Sequence, residues 1–171
     1  MTASEPRELA PLGIAVLTVS DTRDETTDKS GALLVSRLRA AGHKLAERAI
    51  VRDDVYAIRA IVSRWIADEK VEVVIATGGT GLTGRDGTPE AVRPLLDKTI
   101  EGFGELFRML SYREIGSAAM LSRAVAGTWR GRILFALPGS PKAVALALRR
   151  LILPELPHLA GLLAPPSRRR R

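Results

Sequence analysis

The chain has 171 residues, with 26 Lys and Arg against 19 Asp and Glu, a net charge of +7, two histidines and no cysteine. That length fits one domain at about 100–200 residues each, and such a chain buries roughly 70% of its unfolded surface, so its core needs no metal or disulfide. Disulfides, thiolate metal sites and thiol nucleophiles are excluded, and His43 and His158 alone cannot build a histidine-rich centre, which leaves carboxylates, hydroxyls, Lys, Arg and backbone amides for chemistry.

Glu5 and Glu8 stand where a secretory leader carries positive charge, and no run approaches the ~18 apolar residues of a membrane helix. A cytoplasmic protein without a membrane partner is expected, with residues 1–12 as a flexible N-terminus. Ile14 to Val19 reads as a buried strand that empties into Ser20-Asp21-Thr22. Ser30 is placed to cap a helix carrying Leu34, Leu38 and Ala41 on one face, with Gly42 as its left-handed C-terminal cap. His43 to Val51 forms a second strand, and Asp53 or Asp54 opens a helix with Ile58, Ile61, Val62 and Trp65 on one face. Val71 to Ala76 is the β-branched run of a strand covered on both sides, followed by Thr77-Gly78-Gly79-Thr80-Gly81.

Thr88-Pro89-Glu90 has the cap and early proline of a helix start, and Pro94 stops that helix quickly. Phe103, Leu106, Phe107 and Leu110 follow helical spacing and suit a core or subunit interface. Leu121 to Thr128 and Arg132 to Leu137 flank Trp129-Arg130-Gly131 as a hairpin, and a helix through Ala143 to Leu151 follows Pro138-Gly139-Ser140-Pro141-Lys142. Pro154, Pro157, Pro165 and Pro166 predict a loop-rich end, with residues 158–171 as a tail closing on four arginines. A polybasic tail can meet nucleic acid or anionic lipid, but no stretch interleaves aromatic and basic residues, which speaks against nucleic acid. The expected architecture is a single α/β domain over 13–157. It is a three-layer sandwich, with a mostly parallel sheet, helices on both faces and an antiparallel edge hairpin.

Sheets of this kind bind ligands at the carboxyl ends of their strands, so the loops after Val19, Val51, Ala76 and Leu137 carry the functional reading. The glycines of the 77–81 loop let backbone amides approach an anion, and Thr77 and Thr80 add hydroxyl donors. The loop reads as a phosphate cradle or, more plainly, as a tight turn. It is neither a Walker loop nor the dinucleotide fingerprint. Pro138, Gly139 and Ser140 repeat the logic at a helix start. Asp86, beside a phosphate cradle, implies an intervening cation such as Mg²⁺, unless it only closes an Asx-turn. Asp53 and Asp54 are cap acids by default, and Mg²⁺ ligands where their loop faces the site.

These loops in this order resemble the molybdopterin adenylyltransferase and molybdenum cofactor biosynthesis protein B family, whose domain also occurs in gephyrin. The likeness rests on five segments between about Ile14 and Leu151: Leu17 to Thr22, Asp28 to Gly31, Thr77 to Gly81 with Arg85-Asp86 and Thr88 to Ala91, Leu121 to Gly127, and Leu137 to Ala143. The resemblance implies transfer of AMP from Mg-ATP onto the terminal phosphate of molybdopterin, with pyrophosphate released. It places the two functional acids, and with them the Mg²⁺, on Asp53 and Asp86, and a pterin-handling hydroxyl on Ser111. The remaining binding positions would be Ser20, Thr77, Gly78, Gly79, Thr80, Gly81, Pro138, Gly139 and Ser140. Because the nucleophile is an ionised phosphate, no general base is required. The resemblance further implies a homotrimer or homohexamer. Phe135-Ala136-Leu137, in place of an Asn before the Pro-Gly turn, looks like the protein B branch. For that branch the alternative is a non-catalytic molybdopterin-binding or carrier protein.

Overall fold

Strand β1 (Gly13–Val19) is buried on both faces, with Ile14 and Val16 directed to one helical layer and Ala15, Leu17 and Val19 to the other. The computed structural model, which describes residues 10–164, builds outward from it. α1 (Lys29–Ala40) leads to β2 (Lys44–Val51), and α2 (Val55–Ala67) returns the chain to β3 (Val73–Thr77) on the opposite side of β1. After α3 (Thr88–Val92) and the short β4 (Lys98–Thr99) come α4 (Glu101–Ile115), a 3₁₀ segment (Gly116–Leu121), β5 (Val125–Trp129) and β6 (Arg132–Leu137). The strand order is β2-β1-β3-β6-β5-β4, parallel from β2 to β6 and antiparallel over β6, β5 and β4. The two-residue β5–β6 turn has positive φ at both Arg130 and Gly131, the geometry whose twist matches the flanking strands.

Two apolar layers sandwich the sheet, as expected. Leu34, Phe107, Val144 and Leu148 cover one face, while Ile58, Val62, Trp65 and Val92 cover the other. Because β2 is added on one side of β1 and β3 on the other, the strand order switches between β1 and β3, and their carboxyl ends form the cleft where ligands settle in such sheets.

Local differences from the sequence reading have clear causes. Asp28, rather than Ser30, caps α1, accepting from the Gly31 amide at 2.9 Å, and Ser30 instead donates across to the Gly139 carbonyl at 2.6 Å. Asp54 caps α2, and Thr88 lies one position inside α3, its hydroxyl donating to the Gly78 carbonyl. The C-terminal region is helical where prolines predicted loops. α5 (Pro141–Ala147) passes through one π turn (Leu148–Ile152) into α6 (Leu153–Leu163), which contains Pro157 and crosses the boundary expected at 157. An interior proline costs about 3 kcal/mol. Full burial of Leu148, Ile152 and Leu156, at about 1.5–3 kcal/mol each, outweighs that. Residues 1–9 of the N-terminus expected to be flexible, and the arginine run, lie outside the described residues.

Asp28 also accepts from the Thr18 hydroxyl at 2.7 Å and from Arg48 at 2.8 Å. Burial pushes its carboxyl up, but Arg48, the Gly31 amide and the Thr18 hydroxyl outweigh this and hold it below the usual carboxylate range. An Asp28→Ala chain strands Arg48 and uncaps α1, so urea unfolding at pH 7 should show a loss of about 3 kcal/mol. Since the folded value is depressed, the contribution is present above the unfolded value of about 3.9 and fades as pH falls through the folded one. The two proteins should converge in acid.

Candidate functional site

Gly78 and Gly79 follow β3 with φ of +100° and +67°, conformations that side chains with a Cβ rarely adopt. Each glycine also leaves room for something specific. A Cβ on Gly78 would lie 2.2 Å from the Val19 carbonyl oxygen, one on Gly79 would lie 2.7 Å from Asp53 Oδ2, and one on Gly81 would lie 2.8 Å from Asp86 Oδ2. The missing side chains are what bring the loop against the end of β1 and against both acids. The Gly78 amide donates to Leu137 O at 2.9 Å, and Thr77 Oγ1 donates to Pro138 O at 2.8 Å, tying the 77–81 loop to the 138–140 loop. The Gly139 carbonyl is held from behind by Ser30 and by Arg23 Nη1 at 3.1 Å.

These loops border a cavity of about 330 Å³. Gly78, Gly79, Thr80, Gly81, Asp86, Ser111, Pro138, Gly139 and Ser140 all line it, closed by Phe107, Ile115 and Leu121 from α4 and the 3₁₀ segment. Ser111, Ile115, Ser140 and Ala143 are shared with a larger adjoining groove of about 890 Å³ that also carries Arg37, Lys142 and Arg149. Three sequence-predicted residues stand apart from the cavity wall. Ser20 Oγ accepts from the Thr22 and Arg23 amides in its own turn, Thr77 is fully buried, and Asp53 lies behind Gly79. The histidines are elsewhere, His43 accepting from the Leu12 amide and His158 exposed beside Glu155.

The acids differ electrostatically. Burial pushes the Asp53 carboxyl up; the Gly87 amide, donating to its Oδ1 at 3.0 Å, opposes this, and the negative charges of Asp86 and Asp21 add to the rise. Asp86 is held down, chiefly by the Thr83 hydroxyl at 2.6 Å and amide at 2.8 Å, both on Oδ2. Asp21 is lowered by a two-point ion pair with Arg85 at 2.7 and 3.0 Å. Among the described residues no group of three or more His, Asp or Glu gathers to hold a metal. The pair Asp53 and Asp86 suits Mg²⁺, which takes one or two carboxylates and completes its shell with substrate phosphates and water.

Sequence reasoning missed the arginines. Arg123 bonds Gly81 O at 2.7 Å and Asp86 O at 2.9 Å, and Arg23 braces Gly139, although both stand in or beside segments that carried the family likeness.

The family described as "Probable molybdopterin binding domain" matches residues 15–158. A Bacillus cereus protein named molybdenum cofactor biosynthesis protein B is 52% identical over 162 residues, covering 93% of this chain and 96% of its own. The Escherichia coli K12 protein of the same name is 52% identical over 149 residues, covering 87% and 88%. A crystal structure of a molybdenum cofactor biosynthesis protein B has a TM-score of 0.87 at 53% identity, covering 90% of this chain and 96% of that one.

Proposed function

The chain belongs to the molybdopterin-binding domain family of molybdenum cofactor biosynthesis, and from that membership we propose that it binds molybdopterin in this cavity and adenylylates it with Mg-ATP. The observation that carries the proposal is the packing of Asp86 against Gly81 on the cavity wall, with Asp53 against Gly79 directly behind it. An oxygen of the pterin phosphate attacks the α-phosphorus of ATP, the bond to the β-phosphate breaks, and pyrophosphate leaves. The attacking oxygen is already ionised, so no protein base is needed. That agrees with a cavity whose polar lining is glycines, hydroxyls and one acid.

Catalysis here is positioning and charge stabilisation. Asp53 and Asp86 would hold the Mg²⁺, which neutralises phosphate charge when bound. The Gly79 and Thr80 backbone amides donate to phosphate oxygens, and the Thr80 and Ser111 hydroxyls orient the two substrates. A need for ATP is consistent with the expected cytoplasmic location. Incubating the protein with molybdopterin and Mg-ATP should yield adenylyl-molybdopterin and pyrophosphate in equal amounts. Pterin binding without pyrophosphate release would establish the second reading, a molybdopterin-binding or carrier protein. The naming of the 52%-identical relatives as protein B favours that reading.

Self-association is part of the proposal. Met109, Tyr112 and Ile115 on α4, with Met120 and Leu121 beyond it, are at least half exposed, an apolar surface that suits a partner copy. No helix among the described residues is long and apolar enough to cross a membrane. Light scattering at micromolar concentration should give a trimer or hexamer, and a monomer would count against it.

A further inference from the structure

We infer that Arg123 is a positioning residue that sets both acids of the site, an inference that rests on the Mg-ATP reading above. Arg123 lies between the 3₁₀ segment and β5, next to Leu121 and Ser122 of the cavity wall. Its Nε donates to Gly81 O at 2.7 Å, its Nη2 to Asp86 O at 2.9 Å, and its own amide to Thr80 O at 3.2 Å. The outer edge of the guanidinium pairs with the Glu90 carboxylate on α3. One planar group therefore spans both ends of the 81–86 loop and the helix behind it.

The peptide joining Asp86 to Gly87 carries the consequence. Its carbonyl accepts from Arg123, and its amide donates to Asp53 Oδ1 at 3.0 Å. A donor on the carbonyl fixes the peptide plane and polarises its N–H, so Arg123 orients Asp53 through that amide while anchoring Asp86 by its backbone. It also draws the Gly81 and Asp86 carbonyls onto itself, so their partial negative charge does not compete with a substrate phosphate. Glu90 balances the guanidinium charge beside the proposed cation. Only a rigid fork of N–H donors makes these bonds at once, since an ammonium is a point charge on a flexible stem.

The test measures ATP binding by calorimetry at stepped Mg²⁺ concentrations for the full chain, Arg123→Ala and Arg123→Lys. Both variants should need about tenfold more Mg²⁺ for half-maximal ATP binding, as removal of groups that orient metal-holding side chains typically costs 10–100-fold in metal affinity. Millimolar guanidinium should restore Arg123→Ala toward the parent while leaving the parent unchanged. A raised Mg²⁺ requirement that guanidinium does not restore would overturn the inference, because general loosening is not rescued by the missing group. A lysine variant equal to the parent would also overturn it, since charge alone would then suffice. Hydrogen exchange over residues 80–90 of the unliganded protein gives a reading independent of ATP, and it should quicken in both variants. If the parent binds no Mg-ATP at any Mg²⁺ concentration, the adenylylation reading fails. The positioning role then stands or falls on that exchange alone, and unchanged exchange overturns it.

Discussion

An Asp86→Asn variant is expected to release pyrophosphate from molybdopterin and Mg-ATP about 100-fold more slowly than the parent, while its folded state loses less than about 1 kcal/mol. Asp86 Oδ2 accepts from the amide and hydroxyl of Thr83, and the single amide oxygen of asparagine can take over both bonds. What asparagine cannot supply is the negative charge that a hard divalent cation seeks. Pterin binding should persist or tighten, because the repulsion between this position and the substrate phosphates falls. Melting temperature, pterin affinity and pyrophosphate release measured side by side separate the outcomes. An unchanged rate removes Asp86 from the mechanism, and a large drop in melting temperature makes it a structural turn residue.

The second large effect is at Gly79. Valine there must adopt a φ near +67° and place Cβ 2.4 Å from Thr88 Oγ1 and 2.7 Å from Asp53 Oδ2. A β-branched residue in that conformation costs about 1–3 kcal/mol before any clash is counted. Asp53 and the start of α3 must then move. Binding of ATP or pterin should be lost by calorimetry, in a protein that still folds with reduced stability. Gly84→Ala is the control from the same segment, since nothing lies within 4 Å of the added carbon. It should bind as the parent does and unfold within about 0.5 kcal/mol of it. Undiminished binding by folded Gly79→Val would end the cradle hypothesis.

The two loops that border the cavity were legible in the chain because their signals are local. Three glycines directly after a β-branched run, and Pro138-Gly139-Ser140 after another strand, name both loops without any knowledge of the sheet. The layered fold followed from the same alternation. What the residues could not disclose depends on partners distant in the chain. Asp28 and Ser30 are both good caps, and the choice falls to Asp28 because Arg48 and Thr18 meet it in the core. Arg123 looks like an ordinary solvated charge until the 81–86 loop folds over it. Thr77 and Ser20 are hydroxyls in the expected places, yet their oxygens serve the backbone of the loops themselves. The C-terminal helix defeated proline punctuation because burial of Leu148, Ile152 and Leu156 outweighs a missing N–H.

With Asp53 in its proposed role, readiness for function and stability of the empty fold pull against each other. Its carboxyl is partly withdrawn from water and faces the charges of Asp21 and Asp86, so ionising it raises the free energy of the folded chain more than that of the unfolded one. From this group alone, the unliganded domain becomes more stable as pH falls through the raised Asp53 value. Over the same interval it surrenders the charge that a cation needs. If Asp53 holds Mg²⁺ as proposed, occupancy at neutral pH returns the stability that ionisation removes, because ligand binding to the folded state alone deepens it by mass action. On the proposed Mg²⁺ role, an uncharged residue here would relieve that cost and lose the cation together, the exchange expected where activity depends on a destabilised site.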